Sequence, residues 1–338
     1  MSEGEQEMVG IKDVARQAGV SIGTVSNVVN RPHLVSEDTR RRVQTAIDEL
    51  GYVRDESARQ LRAGRSRIMA LLVLDLGNPF FVDLARGAEE AAHAAGLNVI
   101  TCNSGQRVDL ETSYLSMLAE QRVRGVLLSP VESVGDRLQT FARSGIPYVF
   151  VDRKVPELEG SSVSVDDVAG GALAARHLLE TGHTEIAFVN GPKMLVQCRD
   201  REAGVRSALA DGDVRLSVLE SAALNADCGR DAGARLLGMS PRPTAVFCAN
   251  DLLALGVLQA MVGAGVKVPE EMAIVGYDDI EFAGAAAVPL TSVRQPARRL
   301  GRTAAELLIA ETSTDRPQHR QVVFEPELVV RESTRVSR

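Results

Sequence analysis

Seven short apolar runs in this 338-residue chain each end on a side chain built for hydrogen bonding. Leu72-Val-Leu74 runs into Asp75, Val99-Ile-Thr-Cys102 into Asn103, and Val126-Leu-Leu128 into Ser129. Tyr148-Val-Phe-Val151 ends at Asp152, Ile186-Ala-Phe-Val189 at Asn190, Val246-Phe-Cys-Ala249 at Asn250-Asp251, and Ile274-Val275 at Gly276-Tyr-Asp-Asp279. Carboxylates and carboxamides gathered this way can bind a polar ligand through several hydrogen bonds at once. For any single one of them the competing role is a helix N-cap, and Asp251 reads as such. The chemistry is recognition rather than turnover. No phosphate-cradling GxGxxG or GxxxxGK[ST] loop and no GxSxG elbow is present. The histidines (His33, His93, His177, His183, His319) form no ligand cluster, and His177 and His183 flank a helix end. The adjacent pairs Asp166-Asp167 and Asp278-Asp279 point apart and make poor acid/base partners. Neither an enzyme nor a metal or cofactor is expected.

A second polar group lies near the N-terminus. Gly23, Thr24, Ser26, Asn27 and Asn30 share one face of an expected helix whose other face carries Val25, Val28 and Val29. Small polar side chains suit a helix entering a DNA major groove, where base edges present donors and acceptors. Three short helices would position them. Ile11, Val14, Ala15 and Ala18 repeat at i, i+3, i+4 and i+7, and Gly19 follows where the chain must turn left-handed. Ser21 can cap the second helix. A third starts after Ser36 with Glu37 and Asp38 in its first turn, buries Val43, Ala46, Ile47 and Leu50, and stops at Gly51. This pattern fits a helix-turn-helix module and equally a generic three-helix bundle with a polar surface.

From Ile68 onward, short apolar runs alternate with amphipathic stretches, the signature of βα units and parallel sheets. The polar junctions therefore fall at the carboxyl ends of strands, where open α/β sheets bind ligands. Composition agrees with a globular chain: 45% hydrophobic and 25% charged. A single core is strained at this length, so two or three domains are expected. No apolar run approaches the roughly 18 residues of a membrane span, and Met1–Met8 is acidic rather than leader-like. Cys102, Cys198, Cys228 and Cys248 show no CxxC pairing, and they read as buried thiols of a cytoplasmic protein. The net charge of -7 argues against a general polyanion binder. Yet residues 9–67 carry 11 Lys+Arg against seven acids, while residues 68–338 carry 27 against 35. A small basic head on an acidic body points to a nucleic-acid module at one end.

The head residues Ile11-Lys-Asp-Val-Ala-Arg-Gln-Ala-Gly-Val-Ser21, Thr24-Val-Ser26 and Val28-Val-Asn30 closely resemble the DNA-binding head of the lactose-repressor (LacI/GalR) family. The resemblance continues through Val35-Ser36, Thr39-Arg40 and Leu50-Gly51-Tyr52. It implies a DNA-contacting set of Ser21, Ile22, Gly23, Thr24, Ser26, Asn27, Asn30, Arg31 and Tyr52. It also implies a hinge over residues 53–67, with Leu61 as a minor-groove wedge and Ala58 packed against its twin in a dimer. Read without the family, that stretch is a charged linker too short for a stable helix alone. Ile22 and Gly23 depart from the usual base-reading residues, and Asn27 replaces a frequent Arg or His.

The body is similar to the same family's effector domain, which looks like a periplasmic sugar-binding protein. Asp75-Leu-Gly-Asn-Pro-Phe-Phe81, Ile146-Pro147 through Asp152, Arg201-Glu-Ala-Gly204, Ala249-Asn-Asp251, Val275-Gly-Tyr-Asp-Asp279 and Pro289-Leu-Thr291 through Gln295 carry the likeness. It implies a ligand pocket of Asp75, Asn78, Phe80, Phe81, Asp152, Arg201, Asn250 and Asp278. There Arg201 would offer its guanidinium fork and Phe81 a ring face, with one of the two phenylalanines serving only as a buried helix start. Leu224 stands where relatives often stack an aromatic residue on a sugar.

The expected fold is thus α/β: an all-α helix-turn-helix head (9–52), a hinge (53–67), and an effector-binding and dimerisation domain (68–338) of two doubly wound lobes. Lobe 1 would span about 68–166 and 295–324, and lobe 2 about 167–294 and 325–338. No leucine heptad tail follows, so a homodimer is expected. The implied function is a ligand-controlled transcriptional regulator, a repressor on a pseudo-palindromic operator, with a sugar, polyol or nucleoside as effector. Two readings compete: a regulator signalled by a phosphorylated carrier protein, and a small-molecule receptor with no DNA role.

Overall fold

A computed structural model describes residues 9–52, 66–132, 135–155, 160–210, 212–312 and 318–335. The chain packs as two compact units that divide between Arg65 and Ser66. The first holds helices α1 (Ile11–Ala18), α2 (Ile22–Asn30) and α3 (Glu37–Leu50). Gly19 takes the left-handed turn (φ 62°) that ends α1, and Ser21 caps α2 by accepting the Thr24 N–H at 3.1 Å. Val14, Ala15, Ala18, Val25, Val28, Val43 and Ala46 are buried together, while Val29, Ile47 and Leu50 pack against them half-buried.

The second unit contains two six-stranded sheets. One holds β1 (Ile68–Val73), β2 (Asn98–Asn103), β3 (Gly125–Leu128), β4 (Tyr148–Val151), β5 (Ser161–Val165) and β11 (Gln321–Phe324), ordered β11-β5-β4-β3-β1-β2 with every pairing parallel. The other holds β6 (Glu185–Asn190), β7 (Arg215–Glu220), β8 (Ala245–Cys248), β9 (Ala273–Asp278), β10 (Thr291–Arg294) and β12 (Glu327–Val329), ordered β12-β10-β9-β8-β6-β7. Only β12, on the edge, runs antiparallel. The chain passes from the first sheet to the second after Val165, back after Arg294, and again after Phe324. Central strands such as β1, β6 and β8 are buried almost end to end, as parallel sheets covered on both faces require.

The covering helices are α4 (Pro79–Ala94), α5 (Val108–Glu120), α6 (Gln139–Ser144), α7 (Asp167–Glu180), α8 (Val196–Leu209), α9 (Ala226–Leu237), α10 (Asp251–Gly263), α11 (Glu281–Gly284) and α12 (Ala297–Glu311). Three pairs cross at reciprocal glycines. A Cβ on Gly87 of α4 would lie 2.0 Å from the Arg298 carbonyl oxygen, and one on Gly301 of α12 would lie 1.9 Å from that of Leu84. Gly171 and Gly204 meet in the same way where α7 crosses α8, as do Gly229 and Gly256 where α9 crosses α10. Backbone touches backbone at each crossing, so no side chain fits.

That contact makes a prediction. Gly301→Val must push α12 off α4 and should lower unfolding stability by about 1–3 kcal/mol or more. The loss should appear as a lower urea midpoint at unchanged slope. A wild-type midpoint would show that the crossing can open without cost.

Candidate functional site

In the head, α2 exposes Ser21, Ile22, Gly23, Asn27, Asn30 and Arg31 and half-buries Thr24 and Ser26. Several of these polar groups are already engaged within the helix. The Ser21 and Thr24 hydroxyls bond each other at 2.9 Å, and Asn30 turns back to donate to the Ser26 carbonyl at 2.8 Å. Asn27 makes no side-chain hydrogen bond among the described residues, so its carboxamide is free for a base edge. Tyr52 lies half-buried against the head core rather than on the α2 face. Arg16 pairs with Asp13, and Arg41 and Arg42 with Asp38, leaving Lys12, Arg31 and Arg40 without ion pairs among the described residues. The expected hinge contacts Ala58 and Leu61 lie outside the described residues.

In the second unit, the carboxyl ends of both sheets enclose a cavity with about 450 Å³ of space, part of it open to solvent. All eight residues expected there line it: Asp75, Asn78, Phe80, Phe81, Asp152, Arg201, Asn250 and Asp278. Each arrives by its own element. Asp75 follows β1, and its carboxylate accepts the Gly77 N–H at 2.8 Å. Asn78 caps α4, accepting the Phe80 N–H at 3.0 Å and donating to Asp278 Oδ2 at 2.9 Å. Phe80 and Phe81 open α4, and their rings meet edge to face with centroids 5.0 Å apart. Both residues line the cavity, and both also pack into the core of the first lobe.

Arg201 lines the cavity and also holds partners inside the second lobe. It is 4% exposed, and an arginine buried so deeply must be paired. Its Nε donates to Asp167 Oδ1 at 2.8 Å and its Nη1 to the Ala249 carbonyl at 2.7 Å. Its Cζ lies 3.7 Å above the centre of the Tyr277 ring, and the Tyr277 hydroxyl donates to the same Asp167 oxygen at 2.9 Å. Two of its five N–H groups are thus engaged inside the second lobe, and the rest of the fork remains for a ligand. Asp251 is reassigned. Asn250 is the N-cap of α10, accepting the Leu253 N–H at 3.0 Å, while the Asp251 carboxylate accepts from Ser292 Oγ at 2.7 Å and Ile280 N at 2.9 Å.

Burial sets the electrostatics. Loss of solvent, reinforced by Asp167 and opposed by Arg201, pushes the Asp152 carboxyl up to about 8. Burial also raises Asp278, against the pull of Arg201, Asn78 and Gln295. Asp152 is therefore held toward its protonated form, in which it can act as a donor. Its Oδ1 is buried with no hydrogen-bond partner, as is Gln295 Oε1. Asp152 and Asp278 also hold left-handed backbone (φ 59° and 104°), as does Gln106 (φ 59°), a conformation that non-glycine residues adopt at a cost.

Six further residues complete the lining: Leu74, Gln106, Leu195, Gln197, Leu224 and Gln295. Gln197 stands one helical turn before Arg201, so the i, i+4 spacing could have found it. Gln295 directly follows β10 and extends the strand-end pattern by one junction. Gln106 has no such signal. Among the described residues no group of three His, Cys, Asp or Glu side chains could hold a metal ion.

Comparison with known proteins agrees with this geometry. Residues 10–55 match the family described as bacterial regulatory proteins, lacI family, and residues 175–334 match a periplasmic binding protein-like domain. The chain is 34% identical over 331 residues to the HTH-type transcriptional repressor PurR of Photobacterium profundum, covering 97% of this chain and 99% of the relative. Among solved structures, the lac repressor dimer bound to operator and the anti-inducer ONPF is 29% identical with a TM-score of 0.81, over 97% of this chain and 99% of that one. The transcriptional regulator CelR–cellobiose complex is 34% identical with a TM-score of 0.72, over 96% and 99%. The chain therefore belongs to the lacI family of bacterial regulatory proteins and is a DNA-binding transcriptional regulator.

Proposed function

We propose that this protein is a repressor controlled by a small polar effector, a sugar or related polyhydroxyl metabolite, bound in the cavity between its two lobes. One observation carries the reading: all eight effector-site residues, four strand ends among their positions, converge on one cavity lined from both lobes. Asp152 Oδ1 and Gln295 Oε1 offer hydrogen-bonding positions without partners of their own. Phe80 and Phe81 supply ring surface, and Leu74, Leu195 and Leu224 make the remaining wall aliphatic. The head reads a pseudo-palindromic operator as part of a homodimer in the cytoplasm, with α2 in the major groove and residues 53–67 as the hinge. The lac repressor dimer on its operator and the cellobiose complex of CelR support this assignment by likeness.

Thermal shift with D-ribose, cellobiose and alditols, each hit then assayed for operator affinity, tests the reading directly. A true effector at 100-fold excess over its Kd should stabilise the protein by about 2.7 kcal/mol and change operator binding. A panel that stabilises nothing, or stabilises without any change on DNA, would remove the effector assignment. On the DNA side, log affinity should fall linearly with log salt, with a slope near -0.9 per phosphate contacted. Replacing Arg31 by Ala should make that slope shallower by about one contact, and an unchanged slope would take Arg31 off the backbone.

Asp152 gives a pH test. Its carboxyl rises from an ordinary 3.8 to about 8 in the folded protein. A raised pKa contributes stability fully below the unfolded value and loses it as pH climbs through the folded one. Wild type should therefore lose stability relative to Asp152→Asn between about pH 4 and pH 8, by no more than about 1.4 kcal/mol per pH unit. Parallel stability–pH curves for the two proteins would show that Asp152 is not held protonated.

A further inference from the structure

Gln197 lies outside the family-derived effector set, yet it makes the shortest direct link between the lobes at the cavity. It projects from α8 of the second lobe, and its Nε2 donates to both the carbonyl oxygen (2.7 Å) and Oδ2 (2.8 Å) of Asp152, which follows β4 of the first lobe. Gln197 is 6% exposed and Asp152 5%, so the contact is shielded from water. A second link runs the other way: Asn78 of the first lobe donates to Asp278 at the end of β9 in the second. Gln295, on the crossover between the sheets, holds the other oxygen of Asp278 at 2.8 Å.

We propose that Gln197 and Asn78 form an effector-independent latch, two carboxamides that hold the lobes closed by hydrogen bonds within the chain alone. This rests on the reading of the cavity as the effector site and assigns its regulation. The two ends of the latch are alike in chemistry: in each, an amide N–H₂ from one lobe meets an aspartate of the other in a dry contact, where an unmade bond would be costly. Asp152 divides its carboxyl group between two tasks. Oδ2 and the main-chain carbonyl serve the latch, while Oδ1 is buried without a protein partner, so the latch leaves it unspent. An effector therefore adds to the latch instead of displacing it. A protein whose closed form is already well populated binds with less of its intrinsic affinity lost to closure. The strength of the latch thereby sets how much effector is needed.

Hydrogen exchange on the full-length protein, with neither sugar nor DNA present, tests this. Gln197→Met keeps the volume and removes the donors. Asn78→Asp keeps the oxygen that caps α4 and turns the donor facing Asp278 into a second carboxyl. Peptides spanning residues 150–155 and 195–201 in the first variant, and 75–81 and 276–280 in the second, should exchange roughly ten-fold faster than in wild type, with β1 and β8 unchanged. Small-angle scattering should show a larger radius of gyration for the double variant. Wild-type exchange and scattering in both variants would overturn the latch. Acceleration spread evenly through β1 and β8 would also overturn it, by making these residues general packing groups. Neither measurement uses an effector, so a failed sugar screen would leave the latch standing, and a failed latch would leave the sugar screen to be judged by itself.

Discussion

The cavity rests on one buried cation. Arg201 joins the start of α7 through Asp167, the end of β8 through the Ala249 carbonyl and the end of β9 through the face of Tyr277. It is also the positive charge that opposes the desolvation of Asp152 and Asp278. Breaking a buried pair by removing one partner strands the other, at a cost of about 3–5 kcal/mol. Arg201 therefore cannot be treated as a ligand contact alone, because its removal would leave Asp167 buried and uncompensated. Recognition and stability share a residue here, and the second lobe organises its carboxyl strand ends around it.

The helices impose a complementary constraint. Where α4 crosses α12, α7 crosses α8, and α9 crosses α10, glycines bring backbone against backbone, and each pair behaves as a single slab on its sheet. Such slabs do not deform gradually. Relative motion is left to the three stretches of chain that pass between the sheets after Val165, Arg294 and Phe324. Asp278 and Gln295 sit beside one of those passages and bond each other, so the site borders the place where the lobes can turn.

Much of this is legible in the residues. Apolar runs ending in Asp or Asn locate both sheets and the side of the sheets that binds, because hydrogen-bonding side chains at carboxyl strand ends are costly in a core and useful in a cleft. The Gly19 turn and the Ser21 cap locate the head's second helix for the same local reasons. What stays hidden is pairing. Nothing in the spacing of Arg201 and Asp167 shows that they meet, so the fork looks wholly free in the sequence although part of it is spent. Asn30 likewise reads as an outward recognition residue, although its amide folds back on Ser26. At Asp251 the sequence misplaces the cap by one position, since Asn250 and Asp251 are both competent caps and only the backbone decides between them. Gln106 escapes a reading of the sequence because a lone glutamine carries no signature until a partner across the chain is known, whereas Gln197 is betrayed only by its i, i+4 spacing from Arg201.

On the proposed reading, the arrangement also gives this site a route to control DNA binding. A ligand shifts a two-state equilibrium only by the difference in its affinity for the two states. Contacts to one lobe alone are the same open or closed and contribute nothing to that difference. Here the first lobe supplies Asp75, Asn78, the phenylalanine pair and Asp152, and the second supplies Arg201, Asn250 and Asp278. The polar contacts between these groups already bridge the gap, and two oxygens remain without partners, Asp152 Oδ1 following the first sheet and Gln295 Oε1 beside the second. A molecule that satisfies both must hold both lobes, and its binding energy is then expressed as closure. The burial of these carboxyls sharpens this, because an unmet hydrogen bond in so dry a site costs more than the same bond lost at a surface.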